Sequence, residues 1–399
     1  MQDNEKKPAL RFKGFTDPWE QRKLDEAFDF TVPNNTLSRA ELNQESGSVR
    51  NVHYGDVLIK YGSVLDAQND ELPFITGRSK DDFKGALLQN GDIIIVDTAE
   101  DETTGKVCEI VNIQDKDVVA GLHTMVCRPK SKTAEGYFGY YMNSSSYHHQ
   151  LLPLMQGIKV LSLSKTNVQK TTVKYPKDKA EQQKIADCLR HIDTLITLHQ
   201  RKYEKLVNIK KSMLDKMFPQ NGASVPEIRF KGFTDPWEQR KLGEMVDVCS
   251  GMDYKHLSEG DIPVYGTGGY MLSVNKALSY DRNAVGIGRK GTIDKPYILK
   301  APFWTVDTLF YAIPKDSKNI DFTFDVFQKV DWKKKDESTG VPSLSKIAIN
   351  ETSISTPSKL EQERIGSFFR NLDTLITLHQ RKLEKLQNIK KSCLEKMFV

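Results

Sequence analysis

Two glycine-rich turns contain the residues whose types and spacing come nearest to ligand-binding chemistry. Residues 265–270 read Tyr-Gly-Thr-Gly-Gly-Tyr, and residues 288–292 read Gly-Arg-Lys-Gly-Thr. Neither has the G-x-G-x-x-G or the G-x-x-x-x-G-K spacing, so we expect tight turns rather than a nucleotide-hydrolysing site. Arg289 and Lys290 differ, because two cations between glycines can approach a DNA groove or phosphate. The sequence favours that role and a solvated hairpin tip equally.

The histidines and cysteines do not form a metal-ligand pattern. His148 and His149 adjoin each other, whereas His53 and His123 are isolated, and no His-x-x-x-His spacing occurs. The five cysteines are scattered without a Cys-x-x-Cys pair. This arrangement predicts no zinc site, no disulfide framework and a reducing compartment.

The composition is ordinary for a protein that folds in water, and 399 residues are enough for two or three domains. No apolar run approaches the length of a membrane span, and the first residues are polar, so we expect a cytoplasmic protein with no membrane contact. The net charge is +5, but residues 181–218 and 361–398 each contribute +3. The remainder is therefore near −1, and charge alone does not identify it as DNA-binding.

The same two segments, 181–218 and 361–398, are copies of one another. They are offset by 180 residues, and 26 of their 38 positions are identical. Self-similarity of this kind indicates an internal repeat, so we expect a structure built twice.

Each copy carries apolar residues at the alternating spacing of a coiled-coil seam, interrupted at Lys210. The pattern predicts a long helix in each copy, about 57 Å at about 1.5 Å per residue. The two helices either pack on each other or each lie on its own domain, and we favour packing. The histidines of the seam are expected to fix register rather than do chemistry. The predicted seam residues are Ile185, Leu189, Ile192, Ile196, His199 and Leu206 in the first copy and Ile365, Leu372, Ile376, His379 and Leu386 in the second.

The predicted helices also share their start signals and their basic face. Asp178 with Glu181, and Ser358 with Glu361, have the spacing of a capping box. Pairs of basic residues recur along both helices and indicate either a solvated face or a protein-docking face used twice. These pairs are at 201–202, 210–211, 381–382 and 390–391.

A second repeated segment, the opener, begins each half. Residues 8–24 and 226–242 share the run Arg-Phe-Lys-Gly-Phe-Thr-Asp-Pro-Trp-Glu-Gln-Arg-Lys-Leu. The openers are 218 residues apart and the helices 180, so the two segments between opener and helix, here called inserts, differ in length by 38 residues. The inserts also share little sequence. An opener and a long helix together form a unit that occurs twice, which we call the frame. Since the two frames are alike and the two inserts differ, we expect two different surfaces presented from equivalent positions.

The inserts have the pattern of mixed α/β domains whose strand order the sequence does not reveal. In the first insert, residues 56–60 and 92–96 are predicted strands, and residues 137–155 a helix packed on the sheet. In the second, residues 284–292 and 303–313 are predicted to contain strands. The chain is accordingly divided into 1–24 (first opener), 25–177 (first insert), 178–218 (first long helix), 219–242 (linker and second opener), 243–357 (second insert) and 358–399 (second long helix).

The repeated frame resembles that of the type I restriction–modification DNA specificity subunit. The resemblance rests on the opener ending Phe-Thr-Asp-Pro-Trp-Glu, on the Glu-Gln-x-x-Ile helix start, and on Leu-Ser-Leu-Ser-Lys at 161–165. Three runs of the second half also resemble the family. They are Ile-Gly-Arg-Lys-Gly at 287–291, Phe-Trp-Thr-Val-Asp-Thr at 303–308 and Gly-Val-Pro-Ser-Leu-Ser at 340–345.

The resemblance implies a fold of two globular target recognition domains separated by two long helices, which form an antiparallel coiled coil with pseudo-two-fold symmetry. Each domain would read one half of a bipartite site in double-stranded DNA, and the helices would set the spacing. A helix of about 57 Å corresponds to about 17 base pairs at about 3.4 Å each.

The resemblance also implies that this chain has no catalytic residue and no cofactor of its own. Its expected partners are two methyltransferase (modification) subunits, which methylate adenine at N6, and restriction motor–nuclease subunits. S-adenosylmethionine, ATP and Mg²⁺ would bind to those partners. The sequence contains no S-adenosylmethionine loop and no adenine-methylase Pro-Pro motif, in agreement with this division of labour.

Base reading requires polar side chains on projecting loops. The candidates in the first insert are Lys60, Tyr61, Arg78, Lys106 and Lys159, and those in the second are Thr267, Tyr270, Arg289, Lys290, Thr305 and Ser343.

Two other functions are weighed against this one. A fused methylase or nuclease is disfavoured because cofactor and carboxylate motifs are missing. A coiled-coil scaffold whose inserts bind proteins or glycans would not bind DNA in a salt-dependent, half-site-specific way.

Overall fold

The computed structural model describes residues 7–220, 222–315 and 318–399, which form two compact units. Unit 1 comprises the described residues up to Leu198 together with Leu383–Val399, and unit 2 those from His199 to Lys382. Each unit thus contains one opener, one insert, the start of the long helix that follows this insert, and the end of the other long helix. The division into six segments remains a prediction.

Unit 1 contains thirteen short strands among its described residues. They are β1 (Glu20–Lys23), β2 (Phe28–Asp29), β3 (Leu42–Asn43), β4 (Val49–Val52), β5 (Val64–Asp66), β6 (Phe74–Ile75), β7 (Ile93–Val96), β8 (Thr98–Ala99), β9 (Val107–Val111), β10 (Asp117–Ala120), β11 (Thr124–Pro129), β12 (Leu161–Ser162) and β13 (Thr172–Tyr175). Its helices are α1 (Leu24–Ala27), α2 (Tyr54–Ile59), α3 (Tyr137–Met142), α4 (Ser145–His148), α5 (Lys165–Gln169) and α6 (Lys179–Lys216), the last of which continues into unit 2. Single 3₁₀ turns occupy Arg39–Glu41, Lys80–Phe83 and Leu152–Leu154.

The core of unit 1 lies around a five-stranded sheet in the order β2-β11-β7-β9-β5, with only β5 and β9 parallel. Every residue of β7 and β9 is buried, which suits unbroken apolar strands covered on both faces. Unit 1 also contains a four-stranded sheet in the order β10-β4-β6-β3.

Two sequence predictions for unit 1 are wrong. Residues 56–60 are not a strand, because all but the last lie in α2, where the His53 Nδ1 atom accepts a hydrogen bond from the Gly55 N–H at 3.1 Å and caps the helix. A short apolar run does not distinguish helix from strand. Residues 137–155 do not form one helix, because the chain breaks after Met142 into α3, α4 and a 3₁₀ turn.

Unit 2 has nine strands among its described residues. They are β14 (Glu238–Lys241), β15 (Val246–Ser250), β16 (Glu259–Gly266), β17 (Gly269–Val274), β18 (Ala284–Gly288), β19 (Tyr297–Leu299), β20 (Trp304–Thr305), β21 (Leu309–Pro314) and β22 (Ser353–Thr356). The helices are α7 (Leu242–Met245), α8 (Ile320–Lys329), α9 (Lys346–Asn350) and α10 (Lys359–Lys396), with a 3₁₀ turn at Trp332–Lys335.

The main sheet of unit 2 repeats that of unit 1 despite the unlike sequences. Its order β15-β21-β18-β19, all antiparallel, matches β2-β11-β7-β9 of unit 1 in order and direction. Three other strands form a second sheet in the order β17-β16-β20. The two inserts are therefore variants of one mixed α/β fold, which confirms the predicted fold class and internal repeat.

The opener closes each unit in the same way. Its strand pairs with the last strand before the long helix, β1 with β13 and β14 with β22. Trp19 and Trp237 are equivalent residues of the two openers, and both are buried. Trp19 packs edge-on against Phe398 at the end of α10, and Trp237 against Phe218 at the end of α6. The end of each long helix thus enters the core of the unit whose opener it meets.

A buried ion pair joins each opener to the start of the following helix. In unit 1, the Arg11 guanidinium donates two hydrogen bonds to Glu181, at 2.6 and 2.8 Å, and Trp19 donates a third at 3.3 Å. In unit 2, Arg229 donates to Glu361 at 2.7 and 2.8 Å. The capping-box reading is thus wrong for the glutamates, which bind the openers. Asp178 alone caps α6, accepting from the Ala180 N–H at 2.8 Å.

The two long helices run antiparallel where they meet within each unit. In unit 1, Asp193 of α6 pairs with Lys390 of α10 at 2.6 Å. In unit 2, the equivalent pair is Lys210 with Asp373 at 2.5 Å, which explains the interruption of the seam at Lys210. His199 and His379 also face each other in unit 2, with their Nδ1 atoms 2.8 Å apart.

The start of each long helix also packs in the core of the preceding insert. One part of each helix therefore lies on its own domain, and another part packs against the other helix. Ile185 and Leu189 share a core with Tyr137 and with Phe398, which follows the end of the other helix. In unit 2, Ile365 likewise shares a core with residues of its insert and with the end of α6. In the described part of the chain, none of the helices combines the length and apolar character needed to traverse a bilayer.

Candidate nucleic-acid interface

Each unit carries a projecting loop directly before its frame closes. We call residues 156–162 finger 1 and residues 338–343 finger 2. Both lead into Leu-Ser-Lys, at 163–165 and 344–346, a repeat offset by 181 residues. The serine caps the next helix in both cases, since Ser164 accepts from the Asn167 N–H and Ser345 from the Ala348 N–H. The fingers therefore leave equivalent points of the two units.

In each unit, the same backbone contacts join the finger to the residues that directly follow a central strand, β7 in unit 1 and β18 in unit 2. We call these residues the strand exit. The Leu163 N–H donates to the Asp97 carbonyl at 2.8 Å, and the Leu344 N–H donates to the Arg289 carbonyl at 2.9 Å. The next residue along each chain also pairs with the finger. Thr98 of β8 pairs with Ser162 of β12 in finger 1, and Lys290 forms a single β-bridge with Ser343 of finger 2. This joint has one backbone design but different side chains in the two units.

Finger 1 is a tight turn with an exposed apolar tip. The Gln156 N–H donates to the Ser162 carbonyl at 3.0 Å, and the Ser162 N–H returns a hydrogen bond at 2.8 Å. Gly157 has φ of +124°, and a Cβ there would lie 1.9 Å from the Val160 carbonyl oxygen, so only glycine fits. The Ile158 side chain is 99% exposed, and Lys159 beside it is exposed as well.

Finger 2 is held by a carboxylate rather than by a glycine. Asp336 Oδ1 accepts hydrogen bonds from the N–H groups of Ser338 and Ser343 and from the Ser338 hydroxyl, at 2.8–3.0 Å. The hydrogen bond from Ser343, followed by those from Ser338, lowers the pKa of Asp336. The Gly291 N–H donates to the Pro342 carbonyl at 2.8 Å, and Val341 at the tip is 56% exposed.

The predicted DNA-binding residues of the second insert fall into three places. Arg289 and Lys290 are exposed and lie at the joint with Ser343, so the structure brings these three together. Thr267 and Tyr270 lie apart from them on the β16–β17 hairpin, with Tyr270 exposed and its hydroxyl 3.2 Å from that of Ser273. The remaining candidate is Thr305, which is fully buried in β20 and does not present its side chain to a groove.

The predicted residues of the first insert are more dispersed. Lys60 Nζ and the Tyr61 hydroxyl both donate to the Glu71 carbonyl, at 2.9 Å. Tyr61 is buried in the core, and burial raises its pKa, so it does not face solvent. Lys106 Nζ turns inward and donates to the Leu58 carbonyl at 2.8 Å. The other two candidates, Arg78 and Lys159, are exposed, and only Lys159 lies on a finger.

Sequence reasoning missed the residues that share the joint with the ones it found. Asp97 and Thr98 occupy in unit 1 the positions that Arg289 and Lys290 occupy in unit 2. The signal was the repeat of Ser-Leu-Ser-Lys at 162–165 and 343–346, which aligns the fingers. The strand exits have no common sequence and could not be aligned in this way.

The fold and these joints define a class of protein in which one frame, used twice, presents two different recognition surfaces. The chain belongs to the family described as type I restriction modification DNA specificity domain, whose model matches residues 16–208 and 234–388. This match confirms the family that the repeated frame predicts. Specificity subunits of this family are not catalytic, and neither is this chain.

Individual proteins are similar to this chain in sequence or in fold. A Methanocaldococcus jannaschii protein provisionally named type I restriction enzyme MjaX specificity subunit is 23% identical over 402 residues, covering 94% of this chain and 91% of that protein. The crystal structure of a type I restriction–modification S subunit from M. genitalium has the same fold, with a TM-score of 0.71 at 16% identity, covering 98% of this chain and 99% of that one. The crystal structure of an HsdS subunit from Thermoanaerobacter tengcongensis gives a TM-score of 0.43 at 15% identity, covering 97% of this chain and 98% of that one.

Proposed function

We propose that this chain reads a bipartite site in double-stranded DNA, with the insert of unit 1 reading one half and the insert of unit 2 the other. The observation that carries the proposal is the joint, where one backbone arrangement carries Asp97 and Thr98 in unit 1 but Arg289 and Lys290 in unit 2. A shared backbone with different polar side chains is what two readers of different sequences require, since base edges are distinguished by donors and acceptors.

The chemistry of the unit 2 joint supports contact with a duplex. Arg289 and Lys290 are exposed, and the 3₁₀ turn Trp332–Lys335 adds three exposed lysines. Of these, Lys333 pairs with Asp294 at 3.0 Å and Lys334 with Asp331 at 3.3 Å. An arginine can bind the O6 and N7 atoms of guanine with two hydrogen bonds, whereas lysines on a turn suit phosphates. Asp97 Oδ1, by contrast, accepts from the Thr98 hydroxyl at 2.7 Å, and the other oxygen of this carboxylate can accept from the N4 amino group of cytosine.

The proposed partners are two methyltransferase subunits, which methylate adenine at N6, and restriction motor–nuclease subunits. The exposed basic residues on the long helices are the proposed docking face, because they recur in both copies. S-adenosylmethionine, ATP and Mg²⁺ are assigned to those partners, and the complex to the cytoplasm.

The test measures binding by the chain in complex with its methyltransferase subunits. The duplex would carry the sequence that the complex methylates, and competitor duplexes would have one half or the other scrambled. Arg289→Ala should weaken binding by about 1–3 kcal/mol, and scrambling the half read by unit 2 should abolish the difference between variant and wild type.

The matched control is Lys231→Ala, which removes one exposed positive charge from the opener outside both inserts. It should leave half-site discrimination unchanged. Equal binding of wild-type complex to the cognate and the scrambled duplexes would contradict the proposed function.

A further inference from the structure

The fingers end in apolar side chains that nothing in the recognition of base edges requires. We propose that Ile158 of finger 1 and Val341 of finger 2 are wedges that insert against a base step of the bound duplex and unstack it. This inference rests on the proposed function, and it adds a deformation of the DNA to the reading of its sequence. Isoleucine and similar apolar side chains are the residues that other DNA-bending proteins insert between base steps.

Exposure alone does not carry the proposal, because single exposed apolar residues are common on protein surfaces. The Ile59 side chain, for example, is 87% exposed at the end of α2. What distinguishes Ile158 and Val341 is that each stands on the finger of its unit, and the two fingers leave equivalent points of units whose inserts share little sequence. Each lies on the loop that enters the common joint, one residue after a glycine.

A wedge must also be held in place, because an apolar side chain on a mobile loop would turn away from the duplex. Finger 1 is closed by two backbone hydrogen bonds between Gln156 and Ser162, and its base pairs with β8 through Leu161 and Ser162. Finger 2 is closed by the three hydrogen bonds to Asp336, and Pro342 restricts the backbone of Val341, which precedes it. The two loops reach the same result with different residues.

The surroundings of each tip suit a nucleic acid rather than a protein surface. Lys159 follows Ile158 directly, and Lys290 pairs with Ser343 two residues from Val341. A cation beside a single apolar side chain can bind a phosphate while the apolar group meets a base. A stable protein–protein contact instead needs a patch of about 800 Å² on each partner. The exposed apolar side chains of the fingers, Ile158 and Val160 in finger 1 and Val341 in finger 2, are too few to supply it.

Unstacking has a clear use in the proposed reaction. An enzyme that modifies a base inside a duplex must take the base out of the stack, which costs energy that a wedge can offset. We therefore place each wedge beside the adenine that is methylated in the half-site of its own unit. The wedge is a positioning residue, since the methyltransferase subunit would hold the reacting atoms.

The experiment uses the complex of the full chain with its methyltransferase subunits and a duplex with 2-aminopurine at the target adenine of one half-site. The wild-type complex should raise the fluorescence of the probe, because an unstacked 2-aminopurine is no longer quenched. Ile158→Ser should remove this rise in one half-site and Val341→Ser in the other. Methylation of the affected adenine in the unmodified duplex should slow by about tenfold or more.

Three comparisons separate a wedge from a structural role. Ile59→Ser in the first insert and Val225→Ser in the linker make the same chemical changes at exposed positions outside the fingers, and they should match the wild type. A mismatch at the target adenine weakens its stacking and pairing, so it should restore the methylation rate of Ile158→Ser. The methylated sequence itself should not change in either finger variant.

The outcomes distinguish this inference from the function on which it rests. If the wild-type complex discriminates half-sites but Ile158→Ser and Val341→Ser behave as the two controls do, the wedge is wrong and the proposed function stands. If the wild-type complex does not discriminate half-sites, both are wrong.

Discussion

Removing the arginine of one buried ion pair tests how the opener is held to the long helix. Arg11→Met keeps an apolar stem but leaves the carboxylate of Glu181, whose side chain is 1% exposed, without the guanidinium hydrogen bonds at 2.6 and 2.8 Å. Breaking a buried pair by removing one partner costs about 3–5 kcal/mol. The Arg11 side chain is 13% exposed, so water can reach the carboxylate from that side. We expect a loss near the lower end, about 3 kcal/mol.

The assay is urea denaturation followed by the fluorescence of Trp19. The other tryptophans of the sequence, at 237, 304 and 332, belong to unit 2 and would be replaced by phenylalanine in all variants. The double variant Arg11→Met with Glu181→Leu should regain most of the stability, because no unpaired charge stays buried.

The matched control is Arg22→Met in the same opener. Arg22 pairs with Glu20 at 2.7 Å, but the arginine is exposed, and we expect no measurable change. The reasoning is refuted if Arg11→Met and Arg22→Met unfold at the same urea concentration, or if the double variant is less stable than Arg11→Met.

Three further predictions concern the core and the titrating groups. Phe398→Ala should destabilise unit 1 by about 3–5 kcal/mol, measured by the Trp19 transition, because it empties a buried aromatic site beside that ring. Burial raises the pKa of the Glu109 carboxyl to about 7 from an ordinary 4.5. The folded state therefore binds the carboxyl proton more tightly than the unfolded state does. The contribution of this group to the free energy of unfolding is complete below pH 4.5 and is lost as pH rises to 7. Glu109→Gln should flatten that dependence by about 3 kcal/mol in urea titrations across the window. Burial, followed by the nearness of His199 and of two lysines, lowers the pKa of His379 below 6.5. The stability that the neutral imidazole contributes is therefore lost as pH falls below 6.5. The melting temperature of His379→Leu, relative to that of the wild type, should be higher at about pH 5.5 than at about pH 7.5.

Each of these three has a control on the same kind of element. Ile389→Ala removes a half-exposed side chain from α10 and should cost much less than Phe398→Ala. Glu45→Gln and His149→Leu alter exposed residues of the same types and should leave the pH dependence as it is in the wild type. Predictions fail in turn if Phe398→Ala matches Ile389→Ala, if Glu109→Gln keeps the wild-type slope, or if His379→Leu melts with the wild-type pH dependence.

The frame was predictable from the sequence because it occurs twice. A repeat of 38 positions with a seam spacing indicates a helix more strongly than propensity does, and α6 and α10 each span 38 residues. The role of Glu181 was not predictable, because a glutamate three residues after an aspartate has the spacing of a capping box. Only the fold shows that Arg11, 170 residues away in sequence, donates hydrogen bonds to the Glu181 carboxylate.

The inserts were predictable only in class. The run Asp56-Val-Leu-Ile-Lys has the composition of a strand, yet the cap at His53 starts a helix there. Similarly, Tyr61 and Thr305 look like exposed polar readers in sequence, whereas the structure buries both. Burial at such positions depends on which strands become neighbours, and that order is set by long-range pairing that local patterns do not contain.

The candidate site was predictable in part. Arg289 and Lys290 stood out because they lie between glycines, and Ser343 because of its loop, and the structure joins them. Asp97 and Thr98 were missed because an acid and a hydroxyl after a buried strand resemble any strand end. Their significance comes from the joint, which becomes visible only when the two units are compared.

The most direct test of two independent readers on one frame is to make the two readers alike. In a chain whose residues 243–357 are replaced by a second copy of residues 25–177, both frames carry the first insert. Expressed with the methyltransferase subunits, it should methylate a new bipartite sequence in which the half read by unit 1 occurs twice, as mapped by N6-methyladenine sequencing of host DNA. Methylation that retains the original second half, in a chain that no longer contains the second insert, would contradict the account.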